Sequence, residues 1–225
     1  MLTSAEPVVV AWSGGKDSAL ALHRLRAARE YEVVGLLTTV TAEHDRISMH
    51  GVRRALLERQ AAELELPLRT VEIRAGTDNR GYERAMGEAL ASFRGDGIRS
   101  VAFGDLFLRE VREYRERMLA GVGMCAIFPL WEEPTPEVAR AFMELGFRAI
   151  LTCVDATQLD PAFTGRDYDA ALLRDLPPSV DPCGENGEFH TFVHAGPIFR
   201  SAIPVRRGEQ VVREERFHFQ DLLPG

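Results

Sequence analysis

Apolar positions fall into two alternating rhythms along the first 130 residues. Residues 7–12 (PVVVAW) form an unbroken apolar run that stops at Ser13-Gly14-Gly15, which predicts a buried strand. Residues 17–30 then place Ala19, Leu20, Leu22 and Leu25 at helical spacing. The alternation continues, with strands predicted over 32–40, 68–73, 100–103 and 124–129 and helices over 51–65, 79–93 and 109–120. Strands alternating with helices of this length specify βαβ units, a parallel sheet and right-handed crossovers. Apolar strands without polar alternation are covered on both faces. The expected fold class is therefore α/β, with a five-stranded parallel sheet and helices on both faces. Ligands of such sheets sit beyond the carboxyl ends of the strands. That places residues 13–18, Thr38, Thr39, Gly104 and Asp105 on one rim.

The pattern changes after Pro129. Glu132-Glu133-Pro134-Thr135-Pro136 is a proline-punctuated link, with Thr135 as the expected N-cap and Pro136 as the first residue of a helix reaching Leu145. A strand is predicted over 147–155, a long loop over 176–187, and strands within 189–193 and 202–219. The expected organisation is a first domain over 1–130 and a smaller mixed α/β region over 131–225.

Composition narrows the class. Charged residues are 27% and hydrophobic residues 45% of 225, ordinary for a globular chain. The net charge of −7 argues against a protein whose main work is gripping nucleic acid. Three widely spaced cysteines give neither a disulfide framework nor a CxxC pair. The first basic residue is Lys16 and no apolar run approaches membrane-spanning length, so a soluble cytoplasmic protein is expected. Of the 27 basic residues 26 are arginine, and the single lysine is Lys16. An ammonium is a compact point charge where a guanidinium is a wide fork, so a lone lysine marks a place where arginine does not substitute.

Lys16 lies in Ser13-Gly14-Gly15-Lys16-Asp17-Ser18, between a predicted strand and a predicted helix. The glycines admit backbone N–H groups close to an anion, and the helix N-terminus adds its dipole. Ser13 and Ser18 add hydroxyl donors. The loop suits phosphate or pyrophosphate. It is not a Walker A loop, because Val10 stands where the first glycine belongs and Asp17 follows the lysine. The plainer alternative is a glycine turn whose helix is capped by Asp17 or Ser18.

A second polar cluster lies far along the chain. Cys183-Gly184-Glu185-Asn186-Gly187-Glu188-Phe189-His190-Thr191 carries two carboxylates, an amide, an imidazole and a hydroxyl. It could bind Mg²⁺, hold an ammonium ion or deprotonate an amine, with His190 or a desolvated Glu188 as the base. It could also be a polar turn entering a strand. His190 and His194 do not form a zinc pair, because Thr191-Phe192-Val193 favour a strand on which four residues span about 13 Å.

SGGKDS resembles the PP-loop of the ATP pyrophosphatases. Together with Phe103-Gly104-Asp105, Pro129-Leu130-Trp131 and the string from Asp181 to Phe192, it makes nearly the whole chain similar to the diphthine–ammonia ligase family of N-type ATP pyrophosphatases. The resemblance implies a Rossmann-like, HUP-type sheet, ATP with Mg²⁺, and cleavage of ATP between its α- and β-phosphates. It implies nucleotide binding by Ser13, Gly14, Gly15, Lys16, Asp17 and Ser18, which Thr38 and Gly104 join on the rim; Met49 and His50, just before the second predicted helix, are candidates for the adenine pocket, with helix packing as the alternative. It implies catalysis by Lys16, Asp105, Glu185, Asn186, Glu188 and His190, with Asp105 also a candidate for the nucleotide's Mg²⁺. Cys183, Gly184, Gly187 and Thr191 then lie beside the acceptor. The implied reaction adenylates a carboxylate, and free ammonia displaces AMP.

In the namesake reaction the acceptor is diphthine on elongation factor 2. The arginine excess suggests a GC-rich, bacterial-type genome. The stretch from Leu106 to Arg117 also departs from the archaeal and eukaryotic pattern. Both count against that substrate, so the expected acceptor is either diphthine or an unknown small molecule. The alternatives are a tRNA-modifying PP-loop enzyme and a nucleotide-binding sensor without turnover. The sequence leaves the oligomeric state, a homodimer included, unspecified.

Overall fold

The computed structural model describes residues 5–225 apart from His44, Ser48, Met49 and Ala75, and apart from the side chain of Asn79. Met49, expected at the adenine, lies outside the described residues. The first half runs β1 (Glu6–Ala11), α1 (Lys16–Ala28), β2 (Tyr31–Thr41), β3 (Arg46–Ile47), α2 (Arg54–Leu64), β4 (Leu68–Ile73), α3 (Asn79–Gly95), β5 (Ser100–Ala102), α4 (Arg109–Gly121) and β6 (Cys125–Ile127). Five of these strands are parallel, in the order β4-β2-β1-β5-β6. The two-residue β3 pairs antiparallel with the end of β2 and is too short to carry a sequence period.

The valines of β1 explain the two covered faces. Val8 and Val10 point into a cluster with Leu20 of α1 and Leu56 of α2. Val9 points the other way, toward Leu90 of α3 and Leu119 of α4. All three valines are fully buried, and each contributes about 1.5–3 kcal/mol by leaving water.

The second half runs α5 (Thr135–Glu144), β7 (Arg148–Asp155), a 3₁₀ turn (Pro161–Phe163), α6 (Ala170–Asp175), β8 (Phe189–Ala195), β9 (Val205–Arg213) and β10 (Phe217–Pro224). Its four strands form an antiparallel sheet in the order β8-β7-β10-β9. Two local readings change. Thr135 is not the N-cap of α5: Pro134 holds that position without a side-chain cap bond. The Thr135 hydroxyl instead donates to Asp181 Oδ2 at 2.7 Å. The short helix α6 falls where no helix was expected, nucleated by the Asp169 carboxylate accepting from Leu172 N at 2.8 Å.

The two sheets meet at the phosphate loop. Val193 N of β8 donates to Gly14 O at 2.9 Å. Phe189 and Phe192 share an apolar cluster with Leu20 and Leu22 of α1. This docking sets the irregular residues 176–188 against the N-terminus of α1. No helix among the described residues is long and apolar enough to cross a membrane.

Candidate active site

The phosphate loop is shaped by what surrounds its glycines. Gly14 has φ 76°, and a Cβ there would lie 2.7 Å from Gln60 Oε1 and 2.8 Å from Leu57 Cδ2. Gly104, at the end of β5, comes so close to α1 that a Cβ would lie 2.7 Å from the carbonyl carbon of Asp17. Gly15 holds the N-cap position of α1, and no side chain caps the helix. Ser18 Oγ turns back to Gly15 O at 2.9 Å, and Ser13 Oγ accepts from Gly15 N at 3.2 Å. Neither Asp17 nor Ser18 acts as the cap, so the capped-turn alternative does not describe this loop.

Lys16 is 4% exposed. Its Nζ donates to Asp17 Oδ1 and Oδ2 at 2.8 and 2.7 Å and to the carbonyl of Cys183. Burial opposes the charge, but the Asp17 carboxylate, with Cys183 and Glu185 adding to it, leaves the lysine pKa above its ordinary value. The lysine thus joins the two distant motifs. Lys16 N adds a second join by donating to Thr191 Oγ1 at 3.1 Å.

A cavity of about 490 Å³ separates the loop from the C-terminal motif. Lys16 lines one side, and Glu185, Asn186, His190 and Thr191 line the other. Gly104, Asp105, Cys183, Gly184 and Gly187 also border it. A second cavity of about 280 Å³ adjoins it, with Thr38, Leu37 and Met86 on its wall. Trp12, Tyr82 and Phe103 add aromatic surface to that wall, suited to a planar base.

The motif's acidic groups divide their tasks. Glu185 Oε1 accepts from Leu106 N at 2.7 Å. Burial pushes its pKa up to about 7, a lift the Leu106 N–H bond partly offsets. Glu188, expected as a base, does not border the cavity. It is 2% exposed and accepts from Asp181 N at 2.9 Å and from Asn186 N and Nδ2 at 3.0 Å. Those bonds turn the loop and present Glu185 and Asn186. His190, the other expected base, is held well below the usual imidazole range by burial, with His50 and Lys16 adding to the effect. His50 falls to about 4, chiefly through burial. The two rings lie 4.4 Å apart, and both are neutral at neutral pH. Burial pushes the Cys183 thiol up to about 12.

Asp105 stands on the rim, but both its oxygens are engaged. Arg115 Nε donates to Oδ2 at 2.5 Å and Nη2 to Oδ1 at 3.1 Å. Asp17 and Glu185 line the same cavity, and Asp17 is engaged in the same way, both its oxygens accepting from Lys16 Nζ. Mg²⁺ carried on a nucleotide needs only one or two protein carboxylates beside the phosphates. Among the described residues no group of three metal-ligating side chains occurs.

Two further residues belong to the site. Gln60 is fully buried, and its Nε2 donates to Gly14 O at 3.0 Å and to Val193 O at 2.7 Å. Its signal was a polar residue at a core position, on one face with Leu56, Leu57, Ala61 and Leu64. Arg115 borders both cavities and carried no signal, being one arginine among many.

The family model described as the diphthamide synthase N-terminal domain matches residues 6–126, and that of the C-terminal domain matches residues 134–220. The chain is 25% identical to diphthine–ammonia ligase of Rattus norvegicus, over 89% of this chain and 83% of the relative. It is 24% identical to the Homo sapiens protein of that name, with the same coverage. The family models span both motifs that Lys16 ties together, so the chain belongs to the diphthamide synthase family and is an enzyme of its PP-loop ATP-pyrophosphatase type.

Proposed function

We propose that the protein is an ATP-dependent amide ligase that adenylates a carboxylate and then amidates it with ammonia. The observation that carries this reading is the single cavity in which the Lys16 loop faces Glu185. The adenine enters the aromatic side cavity, and the β- and γ-phosphates rest against residues 13–18. Lys16 and the N-terminus of α1 stabilise charge developing on the departing pyrophosphate. The acceptor carboxylate attacks the α-phosphorus, the bond to the bridging oxygen breaks, and an acyl-adenylate remains.

Ammonium enters between the acidic groups. Glu185, with its pKa near 7, takes one proton from it. The freed ammonia attacks the acyl carbon, and AMP leaves as the nitrogen sheds a further proton. Neutral His50 and His190 offer hydrogen bonds there without repelling a cation. Mg²⁺ would supply charge neutralisation on the phosphates, and Asp17, which lines the cavity beside the loop, would hold it. The relatives named for diphthine support a carboxylate acceptor.

The test is isotope exchange between labelled pyrophosphate and ATP in the presence of candidate carboxylates, diphthine included, followed by addition of ammonium. Carboxylate-dependent exchange, and AMP with pyrophosphate as products, are expected. ADP and phosphate as the main products would overturn the reading.

A further inference from the structure

Arg115 has no part in the steps above, yet it borders both cavities of the cleft. The two cavities share a short boundary formed by Ala11, Ser13, His50, Phe103, Arg115 and His190. One side of that boundary is the phosphate loop and the other is the aromatic wall. Among the described residues, Lys16 and Arg115 are the only lysine or arginine side chains on either cavity. Lys16 sits deep in the phosphate loop, bound to Asp17 and the Cys183 carbonyl. His50 and His190 carry no charge at neutral pH. At the boundary itself, Arg115 is therefore the cation.

Its guanidinium is fixed before any ligand arrives. The Asp105 carboxylate takes Nε and Nη2, and the plane lies 4.4 Å from the centre of the Phe103 ring. Those two bonds use two of the five N–H donors of an arginine. Among the described residues the remaining three have no protein acceptor. Arg53 with Asp221 and Arg216 with Asp155 make the same two-bond fork; what sets Arg115 apart is that it borders both cavities.

We propose that Arg115 is the clamp for the α-phosphate of the bound nucleotide, with Asp105 as its positioning residue. The proposal rests on the adenine-nucleotide reading of the cleft. A nucleotide whose base lies in the aromatic cavity and whose β- and γ-phosphates lie on the loop must cross the boundary at its α-phosphate. A planar guanidinium spans two oxygens of one phosphorus, which an ammonium cannot do. The α-phosphorus is also where the carboxylate attacks, so a fixed fork there favours the charge that spreads over its oxygens.

Calorimetry with three probes tests this: AMP, pyrophosphate and adenosine, each against the wild type, Arg115→Ala and Arg115→Lys. Only AMP carries the α-phosphate together with the base. Arg115→Ala should weaken AMP about tenfold or more while leaving pyrophosphate and adenosine within about twofold. Arg115→Lys should recover little of the loss. Asp105→Asn, which keeps the shape but loosens the tether, should weaken AMP by a smaller factor. Unchanged pyrophosphate binding also shows that the loop is intact in each variant. Equal loss of pyrophosphate and AMP would assign Arg115 to the leaving group and overturn the clamp, as would unchanged AMP binding. Wild-type protein that bound none of the three probes would overturn the nucleotide reading itself, and the clamp with it.

Discussion

Gln60 holds the carbonyl of Gly14, its Nε2 donating at 3.0 Å, while its Oε1 accepts from Trp12 Nε1 at 2.8 Å. The same Nε2 reaches Val193 O at 2.7 Å. One buried amide thus joins the end of β1, the phosphate loop and β8. Gln60→Leu keeps the approximate volume but leaves two carbonyls and an indole N–H without this partner. Each such group costs about 1–3 kcal/mol. Urea denaturation of Gln60→Leu should show a stability loss of about 3 kcal/mol or more. A loss below about 1 kcal/mol would mean that the clasp is dispensable.

Lys16 ties the two motifs, so its removal should affect nucleotide binding through more than one charge. Lys16→Ala takes away the cation and leaves the Asp17 carboxylate facing the incoming phosphates. A charged hydrogen bond is worth about 1.5–3 kcal/mol, so ATP affinity should fall about 10- to 100-fold. Lys16→Arg should not restore it, because the wider guanidinium must fit beside Tyr168 and Phe189, whose ring centres lie 6.0 and 5.7 Å from Nζ. Full affinity in Lys16→Arg by calorimetry would show that charge alone suffices.

The first sheet and the phosphate loop were legible because their signals are local. Three consecutive valines before Ser13-Gly14-Gly15, and one lysine among arginines, need no tertiary knowledge. The family string from Cys183 to Thr191 was equally plain, but the roles inside it were not. Glu185 and Glu188 are two carboxylates three residues apart, and only burial and partners tell them apart. Leu106 N and the cavity select Glu185, whereas the N–H groups of Asp181 and Asn186 claim Glu188. Arg115 was hidden for the opposite reason. In a chain with 26 arginines no single one stands out, and its partner Asp105 lies on another element. The elements β3 and α6 were missed because two and six residues are too short for a period to declare itself.

Glu188 supplies a prediction that separates shaping from catalysis. Its carboxylate accepts three N–H bonds within the loop and does not line the cavity between the two motifs. Glu188→Gln replaces one acceptor oxygen with an N–H donor that faces other donors. The loop should lose order, with a cost of about 2 kcal/mol in urea denaturation. Protection of the Asn186 and Asp181 amides in hydrogen exchange should fall in parallel. Lost turnover with unchanged stability and unchanged protection would return Glu188 to the chemistry.

Glu185 should make stability depend on pH in a direction opposite to that of an ordinary paired carboxylate. Burial raises its pKa in the fold to about 7 from a reference of 4.5. A raised carboxyl pKa means that the folded chain holds a proton which the unfolded chain has released. The group's contribution is then fully present below about pH 4.5 and falls as pH rises. It levels off above about pH 7, where both states are ionised. Glu185→Gln cannot ionise, so it should lack this decline and gain stability on the wild type between pH 4.5 and 7. A bound nucleotide adds negative charge to the cavity and should move the window upward. In the ligase reaction the same titration appears with the reverse sense, since the ionised form accepts the proton from ammonium. Wild-type turnover should rise through about pH 7 while stability falls, and Glu185→Gln should lose turnover at every pH. Urea denaturation of the two proteins from pH 4 to 9 decides the matter, and parallel stability profiles would remove Glu185 as the titrating group.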